Sequence, residues 1–300
     1  YNIAPTLMRG DTFTGRVDGA FAFEDRVKDT LCALGAYEMY NYNFTGPAAL
    51  DALRLSADDE KRQAVRLLNP FGEDQSLMRT TLYIGMLDTA QRNMNRRTEQ
   101  GRFFEVGNVH FDNNATLPEE RSMVGLLFFG AEESFYTLKG AVEALFDACS
   151  VGGRSYSRTA SPYFQPGRAA AITADDGRML GELGQLHPDT LKAFGVDGPV
   201  YAAELSMQAM CGCCTGTKKF CPLPRFPLVP RDLSVVVDRT VETAALQRVI
   251  EQAKTEVLVE NVKLFDTYEG VGILPGKKSL AFTFTLRAAD HTLNDEEIKR

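Results

Sequence analysis

Asp232-Leu-Ser-Val-Val-Val-Asp238 is the stretch that decides the fold of the C-terminal part of the chain. Its valine run between two acids predicts a short strand. The patterns that follow alternate between helix and strand: a helix over 241–254, strands over 257–268 and 278–287, and a helix start at 292–296. This βαββα order predicts a ferredoxin-like domain that lacks its final strand. Because that strand would pair with the first one, we expect residues 232–238 to have an open edge.

Apolar residues alternate along the last two strands of this domain, as they do when one face of a sheet is buried. The residues predicted to share a face are Val262, Leu264 and Asp266 in one strand, and Leu280, Phe282, Phe284 and Leu286 in the other. This alternation supports both strand assignments.

Residues 207–224 are predicted to be a linker, because they are rich in Cys, Gly, Thr and Pro. A length of 300 residues favours two domains. We therefore assign residues 21–206 to a larger domain and residues 225–300 to the ferredoxin-like domain. Residues 1–20 show no periodicity, no apolar leader and no initiator Met, and we interpret them as the end of a preceding domain or a linker.

The larger domain combines long strand patterns with few helices. Helices are predicted over 23–35, 82–96 and 138–148 and in a short stretch ending at Gly195. Strands are predicted over 37–44, 65–70, 102–111, 122–129, 169–173 and 179–186. This arrangement favours an α+β fold built on an antiparallel sheet, and not a doubly wound parallel one.

The charge and apolar content limit the possible partners. The net charge is −7, so the whole molecule repels nucleic acid and any RNA contact needs a local basic patch. Residues 225–300, with 11 basic and 12 acidic side chains, are the less acidic part. No apolar run is long enough for a membrane span, and we assign the chain to the cytoplasm by default.

The six cysteines are too few and too irregularly spaced for a secreted disulfide scaffold, so reduced thiols are expected. Cys211, Cys213, Cys214 and Cys221 are an alternative zinc-binding set. However, the adjacent Cys213 and Cys214 cannot easily converge on one ion. We predict no metal site.

Several short motifs occur in the order in which one known family has them. They are Asn69–Gly72 (NPFG), Ser76–Leu82 (SLMRTTL), Phe103–Gly107 (FFEVG), Leu138–Gly140 (LKG), Pro166–Ala170 (PGRAA), Gly181–Pro188 (GELGQLHP), Arg225–Pro227 (RFP), Arg231–Leu233 (RDL), Phe265–Tyr268 (FDTY), Lys278–Leu280 (KSL) and Thr292–Glu297 (TLNDEE). With these motifs the chain resembles the C-terminal part of the β subunits of bacterial phenylalanyl-tRNA synthetases. The resemblance implies a class II aminoacyl-tRNA synthetase-like domain followed by a truncated anticodon-binding domain.

The resemblance also implies that this chain does not catalyse. After Gly181–Pro188, the α subunit of the family has a glycine-rich segment with an arginine that clamps ATP, but residues 201–207 (YAAELSM) have neither. We therefore predict no catalytic residue and no cofactor here, with ATP and magnesium belonging to the complete complex. The alternative is an ATP site made of Arg79, Arg102, Glu105, Arg168 and His187, which otherwise form ion pairs and turns. For His187, which precedes a proline, a local backbone hydrogen bond is predicted.

Two binding roles follow from the resemblance. Pairing with the α subunit in a heterotetramer, (αβ)₂, is predicted to use Val27, Leu31, Leu34, Met86 and Met94. The alternative for these residues is a place in the core of the chain itself. Binding of tRNA(Phe) through its anticodon stem is predicted to use Arg225, Arg231, Lys263, Phe265, Tyr268, Lys277 and Lys278. Here the alternative is strand packing for the aromatic residues and solubility for the basic ones. Competing functions are a stand-alone ATP-dependent ligase and a scaffold without RNA contact.

Overall fold

The computed structural model describes residues 2–12, 14–15, 18–216, 220, 222–253, 258–294 and 297–298. The chain divides into two units, Tyr1–Lys218 and Lys219–Arg300. Among the described residues, no helix is both long and apolar enough to cross a membrane.

In the described part of the first unit, seven strands form one sheet in the order β1-β4-β5-β9-β8-β7-β6. These strands are β1 (Tyr37–Glu38), β4 (Gly101–Phe111), β5 (Glu119–Phe129), β6 (Arg154–Arg158), β7 (Phe164–Ala174), β8 (Met179–Leu186) and β9 (Val200–Ser206). The short strands β2 (Phe44–Thr45) and β3 (Leu77–Met78) pair separately. Strand β1 runs parallel to β4, whereas the other neighbours are antiparallel. The predicted mixed α+β fold is confirmed.

Helices cover both faces of this sheet. They are α1 (Gly19–Ala33), α2 (Pro47–Ala52), α3 (Tyr83–Asn95), α4 (Phe135–Ala148), α5 (Pro188–Ala193) and α6 (Met207–Gly212). Side chains alternate along β5, so Leu126 and Phe128 join the core under α1, α4 and α6, while Leu127 and Phe129 join the core under α3. The sheet is therefore buried between two apolar layers.

Local sequence explains where the principal helices begin and end. The Asp18 carboxylate accepts a hydrogen bond from Ala20 N at 2.9 Å at the start of α1, and Gly35 follows its end with φ +82°. Ser134 and Thr137 form a reciprocal capping box at the start of α4. The predicted helix stop at Gly35 is thus confirmed.

Several predicted elements of the larger domain differ from the structure. Residues 37–44 form no continuous strand but only β1 and the start of β2, because the chain leaves the sheet between them. Residues 65–70 contribute only an isolated bridge between Arg66 and Leu77. Strands β6 and β9 were not predicted. The predicted linker begins too early, since α6 lies within 207–224 and buries Met207 and Met210 in the core of the first unit.

The second unit contains β10 (Val229–Asp238), α7 (Thr243–Glu251), β11 (Leu258–Tyr268) and β12 (Lys277–Arg287). Its strands are ordered β10-β12-β11, and both pairs are antiparallel. This is the βαββ arrangement expected of a ferredoxin-like fold, with β10 at one edge of the three described strands. Lys254 and Val257, at the ends of predicted elements, lie outside the described residues, as do Asp295 and Glu296 of the predicted last helix.

The predicted core face of β12 is confirmed, because Leu280, Phe282 and Leu286 are buried, and Leu280 and Phe282 pack in one cluster with Leu246 and Ile250 of α7. The predicted face of β11 is wrong at one position. An irregularity between Leu264 and Asp266 places Leu264 opposite Phe282 but Asp266 opposite Ala281, on the other face. The sequence pattern did not show this change of register.

Candidate functional site

Three glutamates lie in one row across the sheet of the first unit. Glu105 of β4 and Glu204 of β9 are both opposite Gly125 of β5, and Glu182 of β8 is opposite Glu204. Directly opposite residues share a face, so all three side chains project toward the layer that contains α3. Glu105 and Glu204 are buried, and Glu182 is half-buried. Like charges so close on neighbouring strands require compensating donors.

The segment that leads into α3 supplies donors for two of the glutamates. The Arg79 guanidinium forms a buried ion pair with Glu105, with Nη1 and Oε1 2.6 Å apart. Thr81 Oγ1 and Leu82 N donate to Glu204 Oε1 at 2.9 and 2.6 Å. The Ser76–Leu82 motif thus neutralises or solvates two of the carboxylates in the row.

Hydroxyl groups surround the third glutamate. Thr159 Oγ1 and Ser161 Oγ donate to Glu182 Oε2 at 3.0 and 2.5 Å, and the buried Tyr163 hydroxyl donates to Oε1. Burial, followed by the Glu182 charge, raises the pKa of Tyr163, so it stays a neutral donor. Glu182 therefore holds residues 159–163 against β8.

Glu204 is the most strongly desolvated member of the row. Burial raises its pKa, which Lys61 and the donors Leu82 N and Thr81 oppose. Lys61 Nζ lies 3.9 Å from Glu204 Oε2, the nearest cation to that carboxylate among the described ion pairs. Neither Glu204 nor Glu182 was predicted as a site residue, although each is a single charge within an apolar strand, and that pattern was the available signal.

The five residues of the alternative ATP site do not converge. Arg102 is opposite Phe128, on the other face from Glu105, and pairs with Glu133 at 2.7 Å. Arg168 Nη1 donates to Gln185 Oε1 at 2.7 Å. The structure brings together only Arg79 and Glu105.

His187 is the N-cap residue of α5. Its Nδ1 accepts a hydrogen bond from Asp189 N at 3.1 Å at the start of α5. The predicted local backbone hydrogen bond is confirmed, and this nitrogen is occupied within its own turn.

An exposed aromatic segment, residues 40–44 (YNYNF), lies beside the glutamate row. Asn41 points inward: its Nδ2 donates to Glu105 Oε2 at 2.6 Å, and its Oδ1 accepts from Thr89 Oγ1 at 2.7 Å. Since extended backbone alternates sides, the flanking rings point outward, and Tyr40 and Tyr42 are 92% and 81% exposed. We call residues 40–44 the aromatic segment.

Most of the predicted subunit-interface residues belong to the core of the chain. Val27, Leu31 and Met86 have no exposed surface, and Leu34 and Met94 are half-buried against the same two cores. The apolar faces of α1 and α3 cover the sheet of this chain, so the first three residues cannot reach a partner in this structure. For them the prediction of an interface is wrong and the core alternative holds.

The predicted RNA-binding residues fall on two faces of the second unit. Lys263, Tyr268 and Lys277 are opposite Thr283, Ser279 and Asp238, on the face away from α7. Arg231 and Lys278 are opposite Phe284 and Val237, on the helix side. Phe265 is exposed at the irregularity in β11, and Arg225 is exposed before β10. The structure does not gather all seven into one site.

Charge is nearly balanced on the face away from α7. Lys277 Nζ pairs with Asp238 at 2.8 Å, and Arg287 pairs with Glu260 at 3.4 Å. No described residue forms an ion pair with Lys263, which is exposed on the same face. Lys263 is therefore the cation on this face best placed for a phosphate.

The cysteines do not assemble a metal site in the part of the chain that the structure describes, where no group of three or more His, Cys, Asp or Glu side chains could hold an ion. Cys214 Sγ instead donates to Cys149 O at 3.3 Å. Cys221 lies outside the described residues.

Comparison with known proteins defines first the class and then the family. Residues 224–300 match the model described as the ferredoxin-fold anticodon binding domain, which is the class that the β10-β12-β11 sheet and α7 define. Residues 3–207 match the phenylalanyl tRNA synthetase beta chain CLM domain. The chain belongs to the family of phenylalanyl-tRNA synthetase β chains.

Individual relatives agree with this assignment. The chain is 35% identical over 308 residues to the phenylalanine–tRNA ligase beta subunit of Carboxydothermus hydrogenoformans, and 38% identical over 311 residues to that of Moorella thermoacetica. Each match covers 99% of this chain but 38% of the relative. The chain thus spans well under half the length of these relatives.

Proposed function

We propose that this chain is a non-catalytic part of a phenylalanyl-tRNA synthetase β subunit. It supports the charging of tRNA(Phe) with phenylalanine by pairing with the α subunit and by binding the anticodon stem. The complete enzyme is a cytoplasmic (αβ)₂ heterotetramer that uses ATP and magnesium. For the domain limits we propose those predicted from the sequence, except that α6 joins the first unit, which extends to Lys218.

The row of Glu105, Glu204 and Glu182 is the observation that carries this proposal. A site that activates an amino acid must stabilise negative charge on the phosphates of ATP, which requires cations with free hydrogen-bonding capacity. Here the sheet face carries three carboxylates, and its arginine, Arg79, is neutralised by Glu105. The residues present do not fit ATP, so we assign no step of the reaction to them.

The strand order is consistent with a class II synthetase-like sheet kept for its shape. Strands β4, β5, β9, β8, β7 and β6 form a continuous antiparallel array, with β1 parallel at the edge next to β4. Its layers are held by two apolar cores and by the buried Arg79–Glu105 pair. A rigid sheet of this kind can support a partner subunit without reacting itself.

The aromatic segment supports pairing with the α subunit better than the residues first predicted. Large exposed aromatic side chains are unusual on a free surface and typical of interfaces. Tyr37, Tyr40 and Tyr42 are all exposed, and Asn41 fixes the backbone between the last two. We assign the contact with the α subunit to this region.

For RNA, the match to an anticodon-binding domain and the position of Lys263, Tyr268 and Lys277 favour the face away from α7. An aromatic ring beside lysines can stack on an unpaired base while the lysines contact phosphates. The strand register does not place Phe265 or Arg225 on this face. Arg231 and Lys278, on the helix side, are proposed as peripheral contacts.

Phenylalanine-dependent ATP–pyrophosphate exchange tests the catalytic part of the proposal. The chain alone is expected to show no exchange, and mixing it with the α subunit and measuring the mass of the product should show a complex. Exchange by the purified chain alone would establish a stand-alone ligase and overturn the proposal. A complex that forms but never binds tRNA through this chain would reduce its role to that of a scaffold.

A further inference from the structure

A cleft of about 700 Å³ lies on one side of the aromatic segment and is lined by residues from that segment, α2 and α3. Its volume is in the range of pockets that hold a large side chain or a small ligand. Tyr40, Tyr42 and Phe44 line it together with Phe194. The wall of the cleft is therefore strongly aromatic.

The shape of this cleft depends on two close backbone approaches. A Cβ on Gly85 of α3 would lie 2.7 Å from Asn41 Cβ, and a Cβ on Gly46 would lie 2.7 Å from Asp74 Cα. Glycine at both positions lets the aromatic segment lie directly on α3 and lets residues 73–75 approach the start of α2. The walls of the cleft are thus set by the close approach of Gly85 to the Asn41 side chain and of Gly46 to the Asp74 backbone.

Polar groups without partners line the same cleft. Thr45 is 4% exposed, and its hydroxyl has no hydrogen-bond partner among the described residues. Asp88 is half-buried, and burial raises its pKa, opposed only by Arg92 one turn further along α3. A buried hydroxyl and a desolvated carboxylate without partners are each unfavourable, and a ligand that supplied hydrogen-bond donors would satisfy both.

The charges of the lining residues determine whether that ligand should be positive or negative. Asp51 pairs with Arg62 at 2.7 Å, Glu73 pairs with Arg66 at 3.3 Å, and Arg79 pairs with Glu105. Asp74 and Asp88 form no ion pair with any described residue, and Arg92 is the one unpaired cation in the described lining. Two unpaired carboxylates against one unpaired cation leave this lining net negative, so the cleft favours a cation, which would also meet the ring faces.

We propose that this cleft binds an arginine side chain presented by the partner α subunit; the inference rests on the pairing proposed above. A guanidinium stacks on tyrosine faces, and it carries several donors suited to a carboxylate and to a hydroxyl. A neutral apolar side chain would leave Asp88 and Thr45 without partners. The cleft therefore serves as a receptor for one charged side chain within a larger aromatic contact.

The first experiment probes the cleft without any partner. The isotope-labelled chain is titrated by NMR with N-acetyl-arginine amide and, separately, with its neutral isostere N-acetyl-citrulline amide. Saturable shifts at Thr45 and around Asp88 are expected at millimolar arginine derivative, with at least about tenfold weaker binding of the citrulline derivative or of arginine to D88N. Binding should also weaken as the pH falls through the raised pKa of Asp88. Equal shifts with both derivatives, or shifts with neither, would overturn the inference.

The second experiment places the cleft in the complex. D88N is expected to weaken binding to the α subunit about tenfold, whereas D197N, which removes an exposed carboxylate outside the cleft, should leave it unchanged. Unchanged affinity in D88N, with pairing of the unmodified chain intact, would overturn this inference alone. Failure of the unmodified chain to bind the α subunit would instead overturn the proposed function.

Discussion

Glu182 and Glu204 lie directly opposite each other on the neighbouring strands β8 and β9. The Glu182 charge adds to burial in raising the pKa of Glu204, which is the more deeply buried of the two. Lys61, Leu82 N and Thr81 only partly offset the burial of Glu204. Glu204 is therefore a source of pH-dependent stability.

The first prediction concerns that pH dependence. A carboxyl group with a raised folded-state pKa binds its proton more tightly in the folded chain, so its stabilising effect is present below the unfolded pKa and is lost as the pH rises through the folded pKa. As the pH falls from above the raised value toward 4.5, the unmodified chain should gain stability relative to E204Q. Urea unfolding at a series of pH values measures this. The exposed substitution E132Q is the control, and an E204Q profile parallel to that of the unmodified chain would contradict the prediction.

The second prediction compares two ion pairs of different burial. R79M leaves Glu105 buried without its cation and should lower the free energy of unfolding by about 3 to 5 kcal/mol. R66M breaks an exposed pair with Glu73 and should cost about 0 to 1 kcal/mol. The double variant R79M/E105Q should recover part of the loss because no uncompensated charge remains. If urea unfolding showed that R66M and R79M lower the free energy of unfolding by similar amounts, burial would not determine how much the Arg79–Glu105 pair stabilises the chain.

The third prediction compares two glycines with positive φ near β8. A Cβ on Gly181, at φ +150°, would lie 2.2 Å from the carbonyl oxygen of Glu204, so G181A must displace backbone between β8 and β9. Gly177, at φ +86°, has no atom within 4 Å of such a Cβ, so G177A incurs only conformational strain of about 1 to 2 kcal/mol. Thermal unfolding should show a clearly larger decrease in Tm for G181A than for G177A. Equal losses would mean that the β8–β9 backbone can shift freely.

The fourth prediction separates the two faces of the second unit in RNA binding. K263A and K277A should each lower the affinity of the assembled enzyme for tRNA(Phe) and reduce the slope of log K against log salt by about 1. K278A, next in sequence to Lys277 but on the helix side and proposed only as a peripheral contact, is the matched comparison and should reduce the slope less. If K278A reduces the slope and K263A does not, the RNA lies on the α7 side.

Sequence patterns predicted the elements whose periodicity is set by burial. Helix α1 and its end at Gly35 followed from apolar spacing and a glycine stop, and β4, β5 and β8 followed from their alternation or continuous apolar runs. Strand β9 was not predicted because its centre, Ala202-Ala203-Glu204, has no β-branched residue. These residues form a strand because they pair with β5 on one side and β8 on the other. Tertiary pairing there overrides local propensity.

The candidate site could be predicted only in part. The Ser76–Leu82 motif was recognised, but its role depends on the register that puts Glu105 and Glu204 on either side of Gly125, which no local pattern contains. The interface residues on α1 and α3 were misassigned because a helix face that covers its own sheet has the same spacing as one that meets a partner. Asn41, in contrast, lies where the chain has left the sheet and is bonded to Glu105 and Thr89, and the alternation of the sequence does not predict these bonds.

Gly125 lies between Glu105 and Glu204 in the glutamate row. Without a side chain of its own, it leaves room for Met86 and Leu82, whose atoms would crowd any Cβ placed there. Thioether and hydrocarbon thereby separate the arginine-bound carboxylate of Glu105 on one side from that of Glu204 on the other. Protonation of Glu204 at low pH should therefore leave in place the Arg79–Glu105 ion pair and the aromatic segment that Asn41 attaches to it.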